Sequence, residues 1–167
     1  MLSYKLLFFL PLISTIFTYP FGVLLGEKTA QYFSSTLISI AAILSWFLFI
    51  SFSSSSSSEI IIPVLEWFFV SGQFFNWGIS VNSLTLLMLT LVLTVSALVH
   101  IYSIEYMSHD NSKVRFMTYL SLFTFCMVAL VVSDNLIQLF FGWEGVGLAS
   151  YLSVSYTHLR AHETSVN

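Results

Sequence analysis

The sequence predicts an all-α polytopic membrane protein: about five transmembrane helices, with a β-hairpin between the second and third. Three observations carry this expectation. The chain of 167 residues is 57% hydrophobic and only 8% charged, against about 25% charged in ordinary soluble domains. A small soluble fold leaves much of its surface in water and cannot hide so much apolar area, whereas lipid solvates it directly. Apolar runs long enough to cross a hydrocarbon core recur along the chain, and a span needs about 20 such residues. Finally, the stretch between the second and third runs changes character, with aromatic segments flanking a turn.

The first expected span is Leu6–Leu25, between Lys5 and Glu27, and its Pro11 and Pro20 would kink a helix in a way membrane bundles tolerate. Lys5 ahead of an apolar stretch fits a signal peptide loosely. However, no small-residue cleavage site follows and the stretch is as long as a full span, so a retained helix is expected. The second span is Phe33–Phe52, the third Leu84–Ile104, the fourth Phe116–Val132 and the fifth Leu136–Leu152.

Ser53–Ser58 is a run of six serines, a low-complexity link without chemistry of its own. Glu59–Trp77 is apolar but interrupted by Pro63, Glu66, Gly72, Gln73 and Asn76, which makes it a poor spanning helix. Its aromatic runs Val64–Val70 and Gln73–Ile79 flank Ser71-Gly72, the pattern of a hairpin lying at the membrane surface. A re-entrant helix is the alternative. Lys28, Lys113 and Arg115 fall in loops on one side of the alternating spans, and Lys5 falls on the other. The positive-inside rule therefore orients those three to the cytoplasm or matrix, and the N-terminus and hairpin outward.

Composition also excludes functions. A net charge of −3 without a basic patch argues against nucleic-acid binding. The single cysteine, Cys126, can neither form an internal disulfide nor hold an iron–sulfur cluster, and it reads as packing. No glycine-rich dinucleotide or phosphate-binding fingerprint is present. Neither a metal nor a cofactor is expected on this chain, so any redox chemistry belongs to partner subunits.

Residues 153–167 stand apart. After Leu152 the hydropathy collapses into Ser155-Tyr-Thr-His-Leu-Arg-Ala-His-Glu-Thr164. That string is identified with the conceptual translation of a transposase-type sequencing adapter, and the frame fits from Val154. It is set aside from fold reasoning, and the i, i+4 pair His158 and His162 with it.

The residue with the most chemistry is Glu144, eight residues from each end of Leu136–Leu152. At about 1.5 Å per residue it lies roughly 12 Å into the helix, near the middle of the bilayer. A carboxylate there costs several kcal/mol unless it is paired, hydrated or protonated, which makes a proton relay the leading reading. A neutral, hydrogen-bonded structural acid, or a helix that starts later than Leu136, is the alternative. Gly142, Gly145 and Ala149 share one helical stripe suited to close packing, with Gly147 nearby, while Glu144, Leu148 and Tyr151 share another face. No basic partner for Glu144 lies within a span. His100, near the inner end of the third span, is a second candidate relay, since imidazole titrates near neutral pH. It could equally hydrogen-bond a hydroxyl at the membrane interface. Glu105, His109, Asp110, Lys113 and Arg115 read as a solvated loop, and Asp134 and Asn135 as the start or cap of the fifth helix.

Three stretches carry a family resemblance: Val99-His-Ile-Tyr-Ser-Ile-Glu-Tyr-Met107, Arg115-Phe-Met-Thr-Tyr-Leu120, and Asn135–Leu152 with its Gly142-Trp-Glu-Gly145 and Ser150-Tyr151. The Leu10-Pro11 opening and the Gly26–Lys28 turn add weak support. Together they resemble subunit 5 of the mitochondrial NADH dehydrogenase, respiratory complex I, over the N-terminal portion of that family's length. Asn82, where an acid is expected, and the serine run depart from the pattern. The resemblance implies a fragment of an antiporter-like, proton-translocating subunit of NADH:ubiquinone oxidoreductase in the mitochondrial inner membrane, with a bacterial or plastid membrane as the alternative. It places the family's membrane carboxylate on Glu144 and its partner lysine on a later helix, beyond residue 167. It implies other membrane subunits of complex I as partners, and NADH, FMN, iron–sulfur clusters and ubiquinone bound by those partners. Two rivals stay open: an Mrp-type cation/proton antiporter subunit, and a structural or non-functional truncated fragment.

Overall fold

The computed structural model describes residues 1–53, 59–70, 73–107 and 112–163. Five helices and one hairpin follow one another: α1 (Leu2–Leu25), α2 (Glu27–Ser53), β1 (Ile60–Val70), β2 (Gln73–Val81), α3 (Ser83–Tyr106), α4 (Lys113–Val131) and α5 (Leu136–Glu163). Four of the helices, α1 to α4, are long and apolar enough to cross a membrane. The fifth expected span is a helix, but Gln138, Glu144 and three glycines interrupt its apolar run. Two boundaries differ from expectation by more than four residues. The second helix begins at Glu27 rather than Phe33, so Glu27 and Lys28 lie in its first turn. The fifth runs through Glu163, past Leu152 and into the residues set apart above.

Local chemistry explains the joints. α1 continues through Pro11 and Pro20 and ends at Gly26, whose φ of +98° and ψ of 157° belong to a backbone region open essentially to glycine alone. Asn82 caps α3: its side-chain oxygen accepts the Thr85 N–H at 2.8 Å, so the residue that departs from the family pattern has a structural use. Asn135 does the same for α5 through the Gln138 N–H, also at 2.8 Å.

The hairpin forms as the aromatic runs suggest, longer than expected at its outer ends and pairing Ile60 with Val81 through Val70 with Gln73. Its register shifts between Pro63 and Leu65, which lets the chain carry a proline that cannot donate to the ladder. The expected turn at Ser71-Gly72, the serines at 54–58, and His109 and Asp110 lie outside the described residues.

Helix α1 packs on α2 and α4, α2 packs on α3, and α5 packs on α4. The core between them holds Leu7, Ile38, Leu86, Leu93 and Val128, and it extends to Ile62, Ile79 and Val81 of the hairpin. Outward-facing positions are also apolar, among them Ile43, Phe47, Ile50, Leu91 and Leu98. Water would penalise such a surface and lipid would not, so the arrangement is that of a multi-pass membrane protein. Lys113 meets Glu27 at 3.4 Å, which brings the starts of α2 and α4 to one end of the bundle.

Candidate functional site

Helix α5 has two different faces, set by its small residues. Gly142 is buried, and a Cβ there would come within 2.8 Å of the Leu130 Cα. At Gly145 a Cβ would lie 2.7 Å from Cys126 Sγ, and Ala149 is fully buried. These residues form the stripe that seats α5 directly on α4, where side chains would hold the backbones apart. Cys126 is a buried packing element at this contact.

Glu144, Leu148 and Tyr151 all lie exposed on the other face. Glu144 makes no hydrogen bond or ion pair with any described residue. It stands eight residues, roughly 12 Å, from the start of α5. The tertiary fold thus turns the carboxylate away from the four-helix core, toward a side that no described residue covers.

The start of α5 is fixed by the hairpin. Gln138 is buried, and its amide pairs with both backbone groups of Gly78 in β2: Oε1 accepts the Gly78 N–H at 3.2 Å and Nε2 donates to the Gly78 carbonyl at 2.9 Å. Asn135 Nδ2 donates to the Asn76 carbonyl and to Asp134 Oδ1. The Ser80 N–H donates to the Val132 carbonyl at 2.9 Å. Trp77 meets Phe141 edge-to-face, with ring centroids 5.0 Å apart.

The second sequence candidate, His100, lies elsewhere, 0% exposed in the core. Nδ1 is 2.8 Å from the Ser96 carbonyl oxygen and Nε2 is 3.2 Å from Ser121 Oγ. Ser121 in turn contacts Ser14 at 3.0 Å and Ser34 at 2.8 Å, and Ser14 donates to Ser34 at 3.2 Å. On the far side of the ring, Ser96 Oγ contacts Thr124 Oγ1 at 2.5 Å. His100 does hydrogen-bond a hydroxyl, as its alternative reading held, but deep in the bundle and within an array drawn from four helices. Sequence reasoning singled out none of these serines. Isolated hydroxyls are common in membrane spans, and which of them face one another is decided by helix rotation.

Glu105 is exposed in the last turn of α3, and Lys113 and Arg115 lie in the first turn of α4, so the solvated segment is shorter than expected. The side chains of His158 and His162 lie outside the described residues.

Residues 67–117 match the family described as NADH-ubiquinone oxidoreductase (complex I), chain 5 N-terminus. The chain is 41% identical to NADH-ubiquinone oxidoreductase chain 5 of Chondrus crispus and 42% identical to that of Arabidopsis thaliana, each over 98% of its length. Both alignments therefore run past Leu152. A bacterial relative, NADH-quinone oxidoreductase subunit L of Rhodobacter capsulatus, is 45% identical over 80% of the chain. The chain spans about a quarter of the length of the Chondrus and Arabidopsis relatives (24–25%) and 19% of the Rhodobacter one. Among solved structures, the Mrp complex from Dietzia sp. DQ12-45-1b superposes with a TM-score of 0.66 over 90% of this chain and 15% of that one, at 20% identity, which is a likeness of fold. With such identity over nearly its whole length, the chain belongs to the NADH-ubiquinone oxidoreductase chain 5 family and corresponds to its N-terminal part.

Proposed function

We propose that the full-length subunit is a proton-translocating, antiporter-like component of NADH:ubiquinone oxidoreductase in the mitochondrial inner membrane. Glu144 serves as its intramembrane proton acceptor. NADH, FMN, the iron–sulfur clusters and ubiquinone belong to partner subunits, and this subunit converts their redox energy into proton movement. The observation that carries the reading is the position of Glu144: mid-helix, on the α5 face opposite the α4 contact, without a partner among the described residues. An acid at that depth is tolerated when a neighbouring element supplies a cation or water, and such acids mark ion and proton pathways. Family membership adds that the rest of the subunit is available to cover this face. On the same reading, Lys28, Lys113 and Arg115 face the matrix.

The test is Glu144→Gln in the full-length subunit within the assembled complex. Gln keeps the shape and the hydrogen bonding but cannot take up a proton. Proton pumping should fall sharply, and NADH oxidation with it where the two are tightly coupled. Pumping and NADH oxidation both unchanged would remove Glu144 from the relay.

A second reading, an Mrp-type antiporter subunit without NADH chemistry, draws on the fold likeness to the Mrp complex. Sensitivity of the native assembly to rotenone-type inhibitors separates the two, because only the respiratory enzyme has a quinone site to block.

A further inference from the structure

Four contacts join His100 to three serines: His100 Nε2 to Ser121 Oγ, Ser121 to Ser34, Ser121 to Ser14, and Ser14 to Ser34. All four residues are 0% exposed. A serine hydroxyl has one proton to donate and two lone pairs to accept with. The protons in this array can therefore be counted.

The Ser96 carbonyl oxygen, 2.8 Å from His100 Nδ1, can only accept, so Nδ1 carries the proton of the neutral ring. Ser96 Oγ, 3.3 Å from the same nitrogen, is compatible with this. Its own proton goes to Thr124 Oγ1, because Thr124 donates to the Leu120 carbonyl. Nε2 then presents a lone pair, and Ser121 donates into it. Ser34 donates to Ser121, and Ser14 donates to Ser34. Three hydroxyl protons fill three of the four contacts, and the 3.0 Å Ser14–Ser121 contact holds none.

One added proton completes the set. With Nε2 protonated by protons passed along these contacts, the imidazolium donates to Ser121, Ser121 donates to Ser34 and Ser34 to Ser14, and the Ser14 hydroxyl turns to donate to Ser121. Ser14, Ser34 and Ser121 then form a closed ring in which each donates once, and every contact holds a proton. Only one hydroxyl has to rotate, and no buried polar atom loses its partner in either state.

We propose that Ser14, Ser34, Ser121 and His100 form a proton-loading unit, neutral at rest, that takes up one proton during turnover. The proposal rests on the proton-translocating reading above. A proton from water reaches Ser14, and each hydroxyl passes its own proton onward until Nε2 is protonated. One proton leaves water, one imidazolium forms, and every serine keeps one hydrogen. Nδ1 is held by the Ser96 carbonyl, so the unit unloads through the same hydroxyls and acts as a store beside the path through Glu144.

The proton would enter from one end of the bundle. On α1, Ser14, Thr18 and Gly22 recur every four residues, and Gly22 lines a cleft of about 290 Å³ with Tyr19, Glu27, Ser112, Val114 and Arg115. On α2, Gln31 lies one turn before Ser34, is 3% exposed, and has an amide nitrogen without a partner among the described residues. A buried N–H of that kind requires a partner, and a bridging water between cleft and serines would supply it. The polar groups around His100 are uncharged: the buried Ser14 and Thr18 from α1, Ser34 and Ser35 from α2, Ser103 from its own helix, and Ser121 and Thr124 from α4, with the half-buried Ser96 also from its own helix. Glu27, Lys113 and Arg115 stand at the cleft end.

The experiment uses the full-length subunit in the assembled complex, reconstituted in vesicles. Ser121→Ala and His100→Gln should assemble normally on native gels yet lower coupled proton pumping by about tenfold or more, the scale expected when a positioned proton-transfer group is lost. Ser103→Ala is the control, since the buried Ser103 hydroxyl donates to the Val99 carbonyl of its own helix and bonds no other described residue. It should pump at the wild-type rate. Full pumping by assembled Ser121→Ala and His100→Gln would overturn the proposal. If Ser121→Ala fails to assemble, Ser14→Ala decides, because it opens the ring while leaving Ser34, Ser121 and His100 in line: unchanged pumping there also overturns it. Loss of pumping in Glu144→Gln alongside full pumping in the serine variants would reject the loading unit and retain the function. Full pumping in all of them would reject both.

Discussion

Gln138 and Gly78 are joined by two hydrogen bonds, one to each backbone polar group of the glycine, so a single amide side chain docks the hairpin onto the start of α5. The contact is closed on its other side as well, because a Cβ on Gly78 would run into the Asp134 carboxylate. Gln138→Leu leaves the Gly78 N–H and carbonyl buried without partners, at about 1–3 kcal/mol for each group. The hairpin of the variant should become accessible to limited proteolysis in detergent while the helices stay protected. Cleavage kinetics identical to the wild type would show that the other hairpin contacts suffice.

The two faces of α5 should differ in their tolerance of added volume. Gly142→Ala drives a methyl into the Leu130 backbone, while Gly147 has open space around it. The first should destabilise by about 1–3 kcal/mol through overpacking. Gly147→Ala should be neutral or stabilising by up to about 1 kcal/mol, from helix propensity. Denaturant titration of the purified subunit, followed by helical signal, reads both.

Glu144→Gln should separate function from stability. The side chain is exposed and makes no bond with any described residue, so its replacement should shift the folding stability of the purified subunit by no more than about 0.5 kcal/mol. Pumping by the complex is the quantity it should change. A large loss of stability would instead assign Glu144 a structural partner.

Asn82 should behave as a cap. Asn82→Ala removes the acceptor of the Thr85 N–H and should cost about 1 kcal/mol, whereas Asn82→Asp should retain most of the stability because aspartate caps as well. Thermal unfolding of the two variants side by side distinguishes them.

The residues after Leu152 are checked at the level of DNA. Read from a library prepared without transposase adapters, the codons following Leu152 should continue an apolar frame in place of Ser155–Thr164. Recovery of the same string followed by a stop codon would make it part of the natural chain, and the pumping role would then be withdrawn from this molecule.

The sequence by itself determined the elements. Hydropathy sustained over about 20 residues is a local property that only a bilayer accommodates, and it marked four spans to within a few residues, α2 excepted at its start. The aromatic runs on either side of Ser71-Gly72 marked the hairpin, and Asn135 marked the start of α5, because strand pairing through a short turn and helix capping are also local. The separation of the Gly142, Gly145 and Ala149 stripe from Glu144, Leu148 and Tyr151 followed from helical period alone.

What the tertiary structure decided is which stripe met protein. That depended on the Leu130 backbone and on Cys126, both on another helix. Gln138 is a polar residue in an apolar run, and its partner Gly78 lies 60 residues away in sequence. Ser14, Ser34 and Ser121 were scattered hydroxyls in apolar segments. Ser14 and Ser121 are 107 residues apart in sequence and 3.0 Å apart in the fold, and nothing local to either one specifies the rotation of α1 against α4. In lipid, where the hydrophobic effect does not choose which helix faces meet, that choice falls to close packing and to hydrogen bonds between helices, and these exist only once the bundle is assembled.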